Sequence, residues 1–360
     1  MMSLKDFLLV SPTTLITERF AKLLAEKQQS AAAANSRPQQ QKRKPTAPET
    51  QASSKKKKRA ENPEAPSIEA LEIIDLDVLR ALHAQRATLL STEKAAQTKF
   101  HNFYMNTMAA GGRRRVVYQQ KLSGERFGRF SPCDGLSFQN MDCAWRDTLV
   151  RDRTGRVMYT QLDMRKAHQA ILLSIAEQHG WPTPKLRYYM EHTDEVLEML
   201  VFDREQAKII MLMLLYGGDV EMVTGYALPA FVSEYRHEMK GIAARLYAEY
   251  PALVERLQIK EAREDKRLYV FMSRVLQDRE AMCMQTMVAF LTEASHKIGA
   301  VLHDGLMVLE NTAPNAVAID DAFLARMSTY MFEKCQIRNI EVRRKDFGAP
   351  LAVKLETINE

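Results

Sequence analysis

Cysteine is scarce in this chain, and none of it falls in a metal-binding pattern. The four residues Cys133, Cys143, Cys283 and Cys335 form no C-x2-C pair and pair with no histidine at zinc spacing. That argues against a structural zinc and suggests reduced thiols in an intracellular protein. Long apolar runs are missing too. None approaches the roughly 20 residues a membrane helix needs, so no membrane partner is expected. Residues 1–25 carry Asp6 and Glu18 and lack an apolar stretch ending in small residues, which argues against a secretory signal. The same acids, with one arginine among the first 36 residues, argue against an organellar presequence. No internal repeat is visible.

What remains is enough to fold. The 360 residues are 46% hydrophobic, material for two or three domains with a sizeable core. The net charge is +6, but it is unevenly placed. Residues 1–65 hold 13 of the 51 basic and 6 of the 45 acidic residues, a net of +7. The rest is balanced within one charge, so any nucleic-acid site there must be a local patch.

Residues 3–28 have an amphipathic pattern. From Gln28 to Pro66 the composition turns to Gln, Ala, Pro, Ser and Lys, which buries too little apolar surface to offset the entropy of ordering, so a disordered tail is expected. Its basic clusters, 42–44 and 55–59, point to nuclear import or a nucleic-acid tether, or equally to a plain solvated linker. A mitochondrial or viral replication compartment is the alternative location.

Beyond the tail, residues 67–108 read as helix on the spacing of Leu71, Ile74, Leu79, Leu82, Leu89 and Leu90. Residues 110–135 read as loops and short strands. A strand ending at Asp163 precedes a helix over about 165–178, stopped by Gly180 and Pro182. Helices follow over about 203–216, 228–248, 273–294 and 319–335. A strand pair surrounds His303-Asp304, and a last strand covers 338–344. Strands bracketing helical blocks suggest an α+β fold.

Four elements could carry chemistry. Asp163 stands at the end of Arg156–Asp163, where a rigid backbone aims a side chain at an open edge. Taken alone it is also a helix N-cap. Asp304 interrupts an apolar run, and a charge there is costly unless it is paired, metal-bound or turned outward by an Asp-Gly hairpin. Two carboxylates in such settings can hold two metal ions for phosphoryl transfer. Third, Arg204, Lys208 and Tyr216 lie at i, i+4 and i+12. The two cations therefore share a helix face, with the tyrosine within about 120° of Arg204. Such a face can hold phosphates, and is also what an ordinary solvated helix shows. Fourth, Gly128-Arg129-Phe130-Ser131 precedes Phe138-Gln139-Asn140, an arginine and amides of the kind that contact a duplex.

In this order the pieces resemble the family A DNA polymerases, the bacterial DNA polymerase I class, over about residues 126–345. The family's Thr-Gly-Arg…Leu-Gln-Asn stretch resembles Gly128-Arg129…Gln139-Asn140. Its first motif, an Asp at a strand end before a helix, resembles Asp163. Its Arg-x3-Lys-x7-Tyr-Gly motif matches Arg204, Lys208, Tyr216 and Gly217 at identical spacing. Its glutamine-bearing helix resembles Ser273–Gln277, and its His-Asp hairpin His303-Asp304. The resemblance implies a template-directed DNA polymerase that extends a primer with dNTPs. Asp163 and Asp304 would bind two Mg2+ (or Mn2+). Arg204 and Lys208 would hold the triphosphate, with Lys208 donating a proton to pyrophosphate. Tyr216 would close over the templating position. Arg129, Gln139, Asn140 and Gln277 would contact primer–template DNA, and His303 would steady the primer end.

The implied fold is α+β, a right hand with an antiparallel palm sheet, helical fingers and a reduced helical thumb. Residues 1–66 would be the basic tail, 67–125 the thumb-like region, 126–174 and 263–360 the palm, and 175–262 the fingers. Nothing resembles a proofreading exonuclease.

Three positions depart from the pattern. His168 stands where the family has Glu against the sugar 2′ position, Leu212 where it has Phe or Tyr, and Gly305 where it has Glu. The first two surround the nucleotide sugar. Phage-type single-subunit RNA polymerases also lack that Glu, so an RNA polymerase or primase-like enzyme is one alternative. A non-catalytic nucleic-acid-binding protein on the same fold is another. Met1-x2-Leu4-x2-Phe7-Leu8 has the spacing of a sliding-clamp-binding peptide anchored by Leu4 and Phe7, without its usual Gln and second aromatic.

Overall fold

The computed structural model describes residues 65–89, 94–120, 128–133, 135–218, 220, 227–257, 264–310 and 316–353. The basic tail, the clusters 42–44 and 55–59, and Leu4 and Phe7 lie outside the described residues. The described chain is a mixed α+β fold with seven strands in two antiparallel sheets and twelve helices. None of those helices is long and apolar enough to cross a membrane.

The central sheet has four strands: β4 (Tyr159–Arg165), β5 (Ile298–Val301), β6 (Gly305–Leu309) and β7 (Glu341–Lys345), in the order β5-β6-β4-β7. Successive side chains point to opposite faces, and the two faces meet different cores. Leu162, Met164, Leu306, Val308 and Val342 face a core built with α5 (Ala167–Gln178), α11 (Glu264–Glu293) and α12 (Asp321–Cys335). On the opposite face Tyr159, Met307 and Leu309 pack into a second core with Phe100, Phe103, Phe138 and Trp145. That second core ends short of Asp163, whose face is left to polar groups.

The second core is closed by helices α1 (Leu76–Ala84), α2 (Arg86–Leu89), α3 (Lys94–Ala109) and α4 (Cys143–Leu149); beside it lies a small sheet, β1 (Ser67–Ile73), β2 (Arg113–Gln120) and β3 (Phe130–Pro132), whose buried residues Ile68, Ala70, Val116, Tyr118 and Phe130 join the first core. Here the reading of 67–108 as helix fails at its start, where residues 67–73 pair with 113–119 as a strand, while α1, α2 and α3 fall in the remainder of that span. The inward positions are Ile68, Ala70 and Glu72. A carboxylate at one inward position and Leu71 and Ile73 on the other face disguise the period of two. Helix begins at Leu76, where Asp75 Oδ1 accepts from the amides of Asp77 and Val78 at 2.9 and 3.2 Å.

The remaining helices are α6 (Pro184–Glu191), α7 (Thr193–Glu198), α8 (Arg204–Leu215), α9 (Ala230–Glu249) and α10 (Pro251–Leu257). The expected helices appear within three residues at each end, except that α11 starts at Glu264 rather than about 273. Asp203 caps α8, and Gly217 at φ +79° ends it. The last strand starts at Glu341, three residues later than expected.

Two polar contacts join the small sheet to its surroundings. The Tyr159 hydroxyl accepts from Ile73 N and donates to Ile73 O, both at 2.6 Å. Glu72 is fully buried. It takes Arg114 at 2.9 Å, the Phe138 amide at 2.8 Å and the Tyr118 hydroxyl at 3.3 Å.

Burial raises the Glu72 carboxyl pKa to about 7, although Arg114 and the Phe138 amide pull it down. A folded value above the unfolded one favours the protonated form. The contribution is therefore fully present below about pH 4.5 and lost as pH rises through about 7. By linkage, wild-type stability should fall by up to about 3 kcal/mol between pH 5 and 8. Glu72→Gln should lack that component. Denaturant titrations at the two pH values check this, and an unchanged slope in the variant would refute it.

Candidate active site

Asp163 lies inside β4, two residues before its end, with its side chain only 7% exposed. It is not the cap of α5. That helix begins at Ala167, after Lys166 in the left-handed region (φ 50°), and has no side-chain cap. Lys166 instead reaches the Met190 carbonyl at 2.6 Å. The alternative reading of Asp163 as an N-cap is thereby removed.

Asp304 is in the turn between β5 and β6, as a hairpin reading expects. Its carbonyl accepts from Met164 N at 2.9 Å, and Gly305 is the register partner of Asp163. Asp163 on β4 therefore stands beside the turn that carries Asp304. A Cβ at Gly305 would overlap the Leu162 carbonyl oxygen and come within 3.2 Å of Asp163 Cα. The residue after Asp304 thus has no room for a side chain.

Burial, then the Asp304 charge, raises the Asp163 pKa, while Lys345 and Arg343 lower it. Arg343 donates to Asp163 Oδ2 at 3.4 Å, and Lys345 Nζ lies 3.8 Å from Oδ1. Neither cation belongs to the motifs read from the sequence. Among the described residues no cluster of three or more His, Cys, Asp or Glu forms a metal site. Two close carboxylates are a hard-oxygen donor set. They suit Mg2+, which binds through one or two carboxylates and keeps its other positions for water and phosphate oxygens.

A second constellation surrounds Glu280, which is 1% exposed on α11. Arg129 donates to its carboxylate through Nε at 2.5 Å and Nη2 at 3.2 Å. His168 Nε2 lies 3.1 Å from Oε1, too poorly aligned for a hydrogen bond. On the other side of its ring, His168 Nδ1 meets the Tyr216 hydroxyl at 2.5 Å. Burial alone would raise the Glu280 pKa, but His168 and Arg129 hold it below the ordinary carboxylate range. Burial likewise opposes the charge on Arg129, and Glu280 more than compensates.

The structure thus brings Arg129, His168 and Tyr216 together around a carboxylate that sequence reasoning missed. The signal was present. Leu276, Glu280, Met284, Met287 and Leu291 form one buried helical stripe with a single charge in it. Gln277 is one turn away and donates to Ser273 Oγ, and a Cβ at Gly128 would approach Gln277 within 3.1 Å. The Gly128-Arg129 loop is therefore pressed onto α11.

Other expected residues are placed differently. Gln139 is buried, and its Nε2 donates to Phe130 O at 3.0 Å. Asn140 accepts from Ser137 N and donates to Gly135 O. Both amides hold their own loop together. Tyr216 is buried against His168 rather than open on the surface. His303 is exposed at the hairpin tip. Arg204 and Lys208 are exposed and paired with Asp194 and Glu205, both at 2.6 Å. Along α8, Lys208 is ~12 Å and Arg204 ~18 Å from Tyr216 at 1.5 Å per residue. Asp194 also feels Lys166 and Arg165, so the start of α8 lies toward the chain that leaves β4. Leu212, between Lys208 and Tyr216, is 37% exposed.

No family model and no curated protein matches the chain. Among solved structures, it is similar to the POL domain of Pol1 from M. smegmatis, in complex with DNA primer-template and dNTP. The TM-score is 0.41 at 12% identity, over 76% of this chain and 66% of that one. The chain thus spans just under two thirds of that polymerase domain.

Two substitutions test the geometry. Gly305→Ala should force β4 from β6 and cost about 1–3 kcal/mol, read as a lowered Tm. An unchanged Tm would mean the strands have slack. Arg129→Ala leaves the buried Glu280 carboxylate with His168 alone and should cost on the order of 3 kcal/mol. Adding Glu280→Gln should recover most of that loss. Strictly additive losses in a double-mutant cycle would disprove the coupling.

Proposed function

We propose that this chain is a template-directed DNA polymerase of reduced family A type, extending a primer 3′ end with dNTPs. One observation carries the reading. Motif fragments collinear with that family include two aspartates, one on β4 and one in the β5–β6 turn beside it, and the fragment residues Arg129 and Tyr216 meet on the Glu280 network with His168. In this reading the four-stranded sheet is the palm of a right hand, and α6–α10 are the fingers. Strands β1–β3 extend the palm, which leaves α1–α3 as the reduced thumb.

Asp163 and Asp304 would hold two Mg2+ or Mn2+ ions, which when bound lower the pKa of the primer hydroxyl and neutralise the leaving pyrophosphate. Asp163 is fixed by its strand and Asp304 by its hairpin, so both oxygen sets are placed before substrate arrives. Arg204 and Lys208 exchange Asp194 and Glu205 for the triphosphate, since exposed ion pairs are weak. Lys208 then protonates pyrophosphate. Arg129, Gln277 and the exposed His303 face the primer–template.

His168 governs the sugar. Its buried ring is hydrogen-bonded to the Tyr216 hydroxyl and lies against Glu280, and in this reading it would stand where a 2′-hydroxyl would lie. Leu212 adds an apolar contact beside it. Proofreading is absent in this reading, and any processivity factor would act through the Leu4 and Phe7 segment.

Primer extension on a templated duplex with Mg2+, comparing dNTPs and rNTPs, tests the proposal. Wild type should extend with dNTPs. Asp163→Ala and Asp304→Ala should lose at least about a thousandfold in rate while still binding the duplex. Preference for rNTPs would move the chain to the RNA polymerase or primase class. Duplex binding without any extension would favour a non-catalytic binding protein.

A further inference from the structure

The face of the sheet that carries Asp163 also carries two cations on β7. Arg343 is its direct register partner, and Lys345 follows two residues on, on the same face. Their side chains are 50% and 51% exposed, while that of Asp163 is 7% exposed. Each cation addresses a different carboxylate oxygen, Arg343 at Oδ2 and Lys345 at Oδ1. The third residue of that β7 face, Glu341, is engaged elsewhere, with Arg165 at 3.0 Å. Asp163 is therefore bounded by Asp304 on the β6 side and by two positive charges on the β7 side.

A divalent ion on Asp163 needs the oxygens that these cations now contact, and like charges within several ångströms repel. Both side chains are long, half-exposed and free to swing, so binding the ion displaces them without opening the fold. Displaced, they still reach the space over the β7 side of Asp163. The primer end belongs on the opposite side, beside His303 at the β6 hairpin. The start of α8, with Arg204, lies toward the chain leaving β4. In the polymerase reading, the polyphosphate would lie between α8 and β7.

The geometry points to Arg343 and Lys345 as placeholder cations. They balance the charge of Asp163 before the divalent ion binds, and then become ligands for the phosphate oxygens of the nucleoside triphosphate and its pyrophosphate product. This rests on the polymerase reading for the substrate, but the exchange of cations at Asp163 does not depend on catalysis.

The test uses the full chain without DNA. Mn2+ binding is measured by electron paramagnetic resonance, and binding of Mn2+–pyrophosphate by calorimetry. Compared are wild type, Arg343→Gln, Lys345→Gln, the double variant, and Arg343→Lys as a charge-preserving control for folding. The double variant should bind Mn2+ alone on the order of tenfold more tightly and Mn2+–pyrophosphate severalfold more weakly. Arg343→Lys should stay near wild type in both. Unchanged or weaker Mn2+ affinity in a folded double variant overturns the placeholder role. Tighter Mn2+ with unaltered pyrophosphate binding overturns the phosphate role. Wild-type primer extension run in parallel separates the two proposals. Extension with no shift in the variants refutes only the cation exchange, and the shifts without extension refute only the polymerase reading.

Discussion

Between Leu162 and Gly305 two backbones come so close that no side chain fits, and this contact sets the spacing of the two carboxylates. Glycine here serves close approach rather than an unusual backbone angle. With β6 drawn against β4, the Asp304 carbonyl can take the Met164 amide. The Asp304 charge is then near enough to raise the Asp163 pKa. Two negative charges are thus kept together by main-chain geometry against their own repulsion. A cation is the natural resolution of that tension, whether it comes from β7 or from solution.

A second constraint lies deeper. Glu280 is buried in the apolar stripe of α11, where an unpaired carboxylate would be costly. Its partners come from distant parts of the chain: Arg129 from the loop before β3, and His168 from the first turn of α5. Tyr216, at the end of α8, is joined through His168. One buried charge therefore ties the start of β3 and the start of α5 to the end of the helix that carries Arg204 and Lys208.

The longer helices after β4 were legible in the sequence because their boundaries carry local signals, such as Asp203 before α8 and Gly217 after it, whereas the short helices α4, α6, α7 and α10 were not anticipated. The start of α11 was not, since Glu264-Asp265-Lys266-Arg267 is all charge and shows no apolar stripe. Strand β1 was hidden because its inward alternation includes Glu72, a residue that pattern reasoning assigns to the surface. At the site, Asp163, Asp304, Arg129, His168 and Tyr216 stood out by order and spacing. Glu280, Arg343 and Lys345 did not, because their importance comes from what lies across the sheet or behind the helix. Gln139 and Asn140 show the converse, since a matching tripeptide can serve its own loop. Arg204 and Lys208 sit on an exposed face paired with acids, an arrangement that spacing alone cannot distinguish from a phosphate clamp.

The Tyr159 hydroxyl both gives and takes a hydrogen bond at Ile73, four residues along β4 from Asp163. Mechanically it is a rivet between the small sheet and the central one. A swing of the small sheet about that point would strand both main-chain groups of Ile73 along with a buried phenol. The small sheet is therefore fastened to the strand that carries Asp163 and stands as one piece with it.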